Sequence, residues 1–382
     1  MKHKKTMKHK KWFAVFATVV CTWLSCMAAP CDDVCYWDRT VADFPVLPGE
    51  TNDTDRLQRA IDASGGGVLF VPAGDYRISH TLQITNLCSV LMHKRARFVA
   101  VAPMEFVVRL NFAPYTRTFN SMDFGTFFKG GRIDGKGIAS CMAVHGYVHF
   151  TLRDVCFHNG KMYGLRVKGE GKGGGAEMNA SNLHFINTVS GNAGNVAVRV
   201  SGCDDNFTDC WTVDYTTGFD VDGGSNFFTR CHAWGGRVRA SAPGEMPEYL
   251  RGSVGFRVRE GSSNTILRDC YSDTASIGYL VEGWEVRILG CCYFYNTNMI
   301  KLVKPENLDN FLVFSQPSGS MLVADGMIVK NRNMKSLKVY EGKGSARFRD
   351  MIYGGKGFAP GDARPGACEF VKESAQDVKL LD

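Results

Sequence analysis

Three absences narrow what this chain can be. No apolar run reaches the roughly 20 residues that a membrane-crossing helix needs; the N-terminal run, Trp12–Leu24, is thirteen residues long. No Cys-x-x-Cys pair occurs among the 14 cysteines, which argues against a zinc ribbon or a thioredoxin-type motif. Proline is scarce, at 12 of 382 residues, and no low-complexity stretch divides the chain into parts.

Net charge is also missing once the N-terminus is set aside. Met1–Lys11 carries six lysines and no acid, and Trp12–Leu24 and the small residues Ala28 and Ala29 follow. This is the order of a secretory signal peptide, with cleavage expected after Ala29. Trp23-Leu24-Ser25-Cys26 loosely resembles a lipoprotein box but has Trp three residues before the cysteine, so a lipid anchor is not expected. Residues 1–29 therefore predict a secreted, periplasmic or cell-surface protein. Removing six lysines from a net charge of +7 leaves about +1, so overall charge gives no reason to expect nucleic acid or an anionic membrane as partner.

What the chain does have is an internal repeat. Gly164-Leu165-Arg166-Val167-Lys168-Gly169 returns as Gly218-Phe219-Asp220-Val221-Asp222-Gly223, as Gly255-Phe256-Arg257-Val258-Arg259 and as Gly278-Tyr279-Leu280-Val281-Glu282-Gly283. Val198-Arg199-Val200-Ser201-Gly202 fills the remaining slot. The valines fall at 167, 200, 221, 258 and 281, and glycine-rich or polar inserts account for the two long gaps. Cys156, Cys210, Cys231, Cys270 and Cys291 read as a second column, and Asn182, Asn206, Asn226 and Asn264 as a third.

Apolar and polar residues alternate within each unit, which is the period of a strand. One such unit cannot bury its apolar face. Coils stacked about 4.8 Å apart satisfy the backbone and build a continuous core, so a solenoid is expected. The cysteine column then points inward as small hydrophobes with free thiols, because neighbouring parallel rungs suit disulfide geometry poorly. Cys31 and Cys35, outside the repeat, are left as a candidate disulfide.

A family resemblance agrees with this. Thr54–Ala63 reads as a short helix with Leu57, Ala60 and Ile61 on one face. Ser64-Gly65-Gly66-Gly67 ends it, Val68-Leu69-Phe70-Val71-Pro72 makes a strand and Ala73-Gly74-Asp75-Tyr76 a turn. This series resembles the N-terminal cap of the pectate-lyase-like superfamily. Gly130-Gly131-Arg132-Ile133-Asp134-Gly135-Lys136-Gly137 resembles a rung shared with polygalacturonases. The resemblance covers about residues 40–300 and implies an all-β, right-handed parallel β-helix with a short N-terminal capping helix. Residues 30–382 then form a single domain: a cap at about 40–67, regular rungs at about 68–301, and irregular rungs with a cover over 302–382. The polygalacturonase catalytic signature is not matched. Asp204-Asp205 has the right letters, but no Gly-His-Gly follows.

Chemistry is expected on the outward positions of the stacked strands. Position two of successive rungs reads Arg166, Arg199, Asp220, Arg257, Leu280, and position four reads Lys168, Ser201, Asp222, Arg259, Glu282. Asp220 and Asp222 share one face about 6.6 Å apart along the strand, with Arg199 and Arg257 one rung to either side. Two carboxylates about 6.5–9.5 Å apart suit an inverting glycosidase. Alternatively, carboxylates hold Ca²⁺ against a uronate while a basic side chain abstracts the α-proton for β-elimination. Surrounding arginines favour an acidic sugar, since a guanidinium clamps a carboxylate bidentately. The expected catalytic residues are Asp220, Asp222 and His232, and the expected substrate-binding residues are Arg199, Arg257, Arg259, Arg166 and Lys168. The weaker candidates are the insertion Arg237–Gly252, as a substrate-gripping loop, and Gly169–Gly175, read as a turn. A solvated face of paired salt bridges is the bland alternative for the two aspartates. At the level of function, the alternative to a polysaccharide lyase or hydrolase is a non-catalytic β-helix that binds glycan or serves as a structural surface module.

Overall fold

The computed structural model describes residues 36–112, 125–168, 175–189, 194–235, 252–295 and 321–331, with short strands from 338 to 381. The expected signal peptide, Cys31, Cys35, positions 169–174 and the insertion up to position 251 lie outside the described residues.

All the described strands but two fall into three sheets, and every pair in them is parallel; Lys338–Glu341 and Glu369–Val371 pair with each other in a separate two-stranded sheet. Sheet A has thirteen strands, from Arg39–Thr40 to Val378–Leu381; sheet B has eleven, from Gly74–Ile78 to Ile352–Gly354; sheet C has eight, from Leu82–Ile84 to Ile277–Val281. The chain visits them in turn. Val68–Val71 lies in A, Gly74–Ile78 in B and Leu82–Ile84 in C, and Ser89–Met92 then returns beside Val68–Val71. This is the expected right-handed parallel β-helix. Among the described residues no helix is long and apolar enough to cross a membrane.

The expected helix occupies Thr54–Ala63, with Leu57, Ala60 and Ile61 buried. It covers the first rung, where the open edge of a parallel sheet would otherwise expose its backbone groups. Asp53 completes that cover: its N–H donates to the Arg77 carbonyl (2.9 Å) and its carboxylate accepts the Arg77 N–H (2.8 Å). The helix start is served instead by Asn52, whose side-chain oxygen accepts the Thr54 N–H at 3.0 Å.

The valine row is present in register. Val167 pairs with Val200, Val200 with Val221, Val221 with Val258, and Val258 with Val281. All five are essentially buried. Aromatic residues stack in the same manner, with Phe219 on Phe256 at 4.9 Å and Phe207 on Phe228 at 5.0 Å. In a parallel stack like meets like, and dispersion accumulates along each inward column.

Two of the expected columns need correction. Cys210, Cys231, Cys270 and Cys291 do stack, buried and free, but Cys156 is not among them. Val155 holds the inward position, and Cys156 begins the next strand on the outer face, paired with Arg132 and His184. A one-residue step reverses the face of a strand residue. The asparagines do not form one column either. Asn182 (φ +51°) and Asn264 (φ +50°) are left-handed corner residues at two different corners. Asn206 opens a strand, and Asn226 is buried with its side chain bonding the Asp205 N–H and the Gly202 carbonyl. Asparagine suits each site for a different reason: tolerance of positive φ at the corners, paired donor and acceptor inside.

Burial pushes the thiols of Cys231, Cys270 and Cys291 well above the usual range. Each faces a backbone carbonyl, as Cys270 Sγ does that of Phe228 at 3.3 Å. Thiol titration of the denatured, unreduced protein should therefore count Cys210, Cys231, Cys270 and Cys291 as free. The same four should resist alkylation in the native protein. Finding them oxidised after denaturation would contradict the inward stack.

Candidate functional site

The outer face of sheet C carries the charged positions, since Val198, Val200, Phe219 and Val221 of the same strands turn inward. The expected register is present. Arg166 pairs with Arg199, Arg199 with Asp220, Asp220 with Arg257, and Arg257 with Leu280. Asp222, Arg259 and Glu282 follow in the next column, their N–H groups donating to Val200, Val221 and Val258.

The aspartates are not equivalent, and Asp220 is not the exposed residue expected. It is fully buried. Its two oxygens accept three guanidinium bonds: Arg199 Nη1 at 2.9 Å, Arg259 Nε at 2.7 Å and Arg259 Nη2 at 2.9 Å. Asp222 accepts Arg199 Nη2 at 2.5 Å and keeps about a third of its side chain exposed (32%). Arg257 engages Glu282 through two bonds, at 3.0 and 3.3 Å. Arg199, Arg259, Asp220 and Asp222 thus form one bonded cluster, and Arg257 and Glu282 a pair beside it, over four rungs. The hydrogen bond to Asp220 raises the Arg259 guanidinium still further above its usual range. With no exposed surface and both oxygens occupied, Asp220 holds Arg199 and Arg259 in place and is out of reach of substrate.

His232 does not join the two aspartates. It lies in sheet B, stacked on Tyr271 with centroids 4.1 Å apart. Burial pushes its imidazole below the usual range, and Nε2 is buried with no partner among the described residues. Arg166 and Lys168 lie one rung before Arg199 on sheet C. Among the described residues Arg166 has no carboxylate partner; its guanidinium sits 5.4 Å from the centre of the Tyr163 ring.

Four residues of this face were not singled out in the sequence. Arg109 lies over Phe106 at 5.8 Å, bonds Glu105 at 2.5 Å, and leaves its buried Nε without a partner among the described residues. Phe106 and Tyr163 stack with centroids 6.3 Å apart. Between the two arginines the column holds Ala143, paired with Arg109 on one side and Arg166 on the other. That rung, Ser140–His145, lacks the glycine that marks the repeat, and two strands of sheet C precede it, so the sequence pattern began three rungs too late.

No family model matches the sequence, and no curated protein matches it. Solved structures do. The ORF18 protein of Geobacillus virus E2 is 16% identical, with a TM-score of 0.61 over 92% of this chain and 66% of its own. Endo-xylogalacturonan hydrolase from Aspergillus tubingensis is 12% identical, with a TM-score of 0.59 over 88% of this chain and 98% of its own. A double-mutant tailspike of E. coli bacteriophage HK620, in complex with a pentasaccharide, is 13% identical, with a TM-score of 0.57 over 85% and 64%. The fold shared with these neighbours is the right-handed parallel β-helix. The chain spans just under two thirds of the length of the virus protein and of the tailspike. At these identities the likeness establishes the fold and leaves the chemistry to the residues of this chain.

Elsewhere, two buried groups have displaced pKa values. Burial raises Asp205 to about 7, although it accepts the Tyr147 hydroxyl at 2.5 Å and the Met178 N–H at 2.9 Å. Burial lowers His158 to about 4, helped by nearby Arg132. Between pH ~4 and ~7 the folded Asp205 keeps a proton that the unfolded chain has lost, so its contribution to stability declines as pH rises. His158 acts oppositely: from pH ~6.5 down to ~4 only the unfolded chain takes up the proton, so stability declines on acidification. Melts across this window should show Asp205→Asn declining more steeply than wild type as pH falls, and His158→Gln less steeply. Parallel profiles for all three proteins would contradict these assignments.

Removing the carboxylate of Asp220 leaves two guanidiniums without their shared partner. Asp220→Ala should cost about 3 kcal/mol, the low end for a broken buried pair because the arginines are partly exposed. Asp222→Asn should stay within about 0.5 kcal/mol. Denaturant unfolding of the two variants checks the contrast.

Proposed function

We propose that the protein acts on an acidic polysaccharide, gripping it along the outer face of sheet C and cleaving it by hydrolysis or β-elimination. The observation that carries this reading is the outward column Arg166, Arg199, Asp220, Arg257 with Arg259 beside it, in which four arginines meet one another's rungs and Arg166 has no carboxylate partner among the described residues. Guanidiniums in a row suit a chain of carboxylates better than a neutral glycan. The names of two neighbours, a xylogalacturonan hydrolase and a tailspike holding a pentasaccharide, point to glycans as well. Asp222 is the carboxylate within reach of a bound chain and takes the role of general base, with Asp220 as the positioning residue behind the arginines. The aspartates do not fit a Ca²⁺ site: both Asp220 oxygens are occupied, and no group of three His, Cys, Asp or Glu among the described residues is placed to hold a metal.

A second reading is a glycan-binding β-helix that does not cleave. It is favoured by the closed network, in which each carboxylate already has a guanidinium partner. A panel of acidic and neutral polysaccharides separates the two readings. Reducing ends alone indicate hydrolysis, and reducing ends with the ultraviolet absorbance of unsaturated uronates indicate elimination. Retention without either product supports the binding module. On a cleaved substrate Asp222→Asn should lower turnover ~10²-fold or more with melting unchanged. Wild-type turnover in that variant would remove Asp222 from the chemistry.

A further inference from the structure

We propose that the outer face of sheet B, over the five rungs from His184 to Phe294, is a binding strip for a linear, uncharged glycan laid along the helix axis. It lies on a different face from the acidic-polysaccharide reading and takes a ligand of different chemistry, so neither stands on the other.

The strip is set apart by what its outward positions carry. Its strands are His184–Ile186, Trp211–Val213, His232–Trp234, Tyr271–Asp273 and Cys292–Tyr295, paired in that order. One outward column reads His184, Trp211, His232, Tyr271, Cys292, and the other Ile186, Val213, Trp234, Asp273, Phe294. No Lys or Arg stands in either. Asp273 is the one acid, and both its oxygens are taken, by the Tyr271 hydroxyl at 2.8 Å and the Thr274 hydroxyl at 2.5 Å. Burial holds the imidazoles of His184 and His232 below the usual range, so both are uncharged at neutral pH. Earlier rungs of the same sheet differ: Asp75 and Arg97 form an ion pair there, and Arg132 and Asp134 follow. The rings are not needed inside, where Phe185, Thr212, Ala233, Ser272 and Tyr293 of the same strands are buried. A run of rings on the outside is the informative exception on a protein surface.

Chemistry and size choose the occupant. A pyranose presents C–H groups on its faces and hydroxyls at its rim; aromatic surface takes the first, and an indole N–H or a phenol O–H the second. Trp211, Trp234, Tyr271 and Phe294 supply both, and each is half-buried rather than covered. Val213 is buried and forms no part of the surface. His232 and Tyr271 spend ring faces on each other, with centroids 4.1 Å apart and planes 14° apart. Trp211 is tilted 50° from His184, and Phe294 stands at 82° to Tyr271, so stacking along the column does not use up these two rings. Four rung steps of about 4.8 Å and two outward positions about 6.6 Å apart make a ribbon on the order of 20 Å by 10 Å. That is roughly 200 Å², against the ~800 Å² per partner of a stable interface with a second copy. A ribbon of this shape suits one extended chain. With no cation at its outward positions it gives a polyanion nothing to pair with.

The test titrates the whole protein with neutral β-linked oligomers of glucose, xylose and mannose, with affinity read by calorimetry. Wild type should bind at least one of them. Trp211→Ala and Trp234→Ala should each weaken that binding about tenfold, and Arg287→Gln, exposed on sheet A, should leave it unchanged. Any turnover on an acidic polysaccharide should be the same in Trp211→Ala as in wild type. Melting of each variant accompanies the binding; if the alanine variants do not fold, Trp211→Leu, which keeps apolar volume and removes the ring, decides. Ring variants that fold and bind the neutral oligomer like wild type overturn the strip, and so does a wild type that binds none of the three. Light scattering supplies the last arm: a dimer that Trp211→Ala dissolves makes this face a self-interface and overturns the glycan occupant. Turnover and retention on acidic polysaccharides are scored separately, so loss of the strip leaves the sheet C reading standing.

Discussion

Everything in this molecule depends on parallel strands stacked in register, about 4.8 Å apart. That spacing places each side chain directly over its counterpart in the next rung, so the protein is a set of columns. Inside, the constraint is benign: valine on valine, phenylalanine on phenylalanine and thiol on thiol all pack. Outside it is demanding, because like charges one rung apart repel. The run Arg199, Asp220, Arg257 answers by alternating sign, and Arg199 and Arg259 converge on a single carboxylate. Arg166 breaks the alternation, and an aromatic ring rather than an acid holds it.

The corners obey the same constraint. Asp154, Asn182, Asp209, Arg230 and Asp269 all have φ between +50° and +59°, and Gly290 and Gly326 continue the series at +62° and +64°. Residues other than glycine are uncommon in this conformation, and Asn and Asp are the most tolerant of it. The chain accepts the strain because each corner delivers the next strand to its ladder. Exposed ion pairs run along this edge, such as Arg230 with Asp209 at 2.7 and 2.8 Å. They are worth little individually and replace repulsion between stacked corners.

This column logic explains what the sequence revealed and what it hid. The valine row was legible because alternation and a leading glycine mark it locally, and the capping helix because its apolar face and glycine stop lie within a few residues. The asparagines misled because one residue type serves corner, strand and core. Cys156 misled because facing direction changes with a single step. The burial of Asp220 had no local signal at all, for the arginine that encloses it is 39 residues away, across the insertion that separates two rungs.

The two halves of sheet C's outer face therefore differ in what binding costs. Over Arg199, Asp220, Arg257, Arg259 and Glu282 the charges are already matched, so an anionic chain settling there must exchange one ion pair for another, with little net gain. Arg166, which has no carboxylate partner among the described residues, stands outside that matched set. On the proposed reading, a chain gripped near Arg166 and continuing along the helix axis passes Asp222 two rungs further on. Separating grip from reaction in this way lets remote binding energy hold a substrate over a weakly binding centre. A linear polymer laid along stacked rungs can satisfy both, because its own repeat carries successive carboxylates in the direction of the columns.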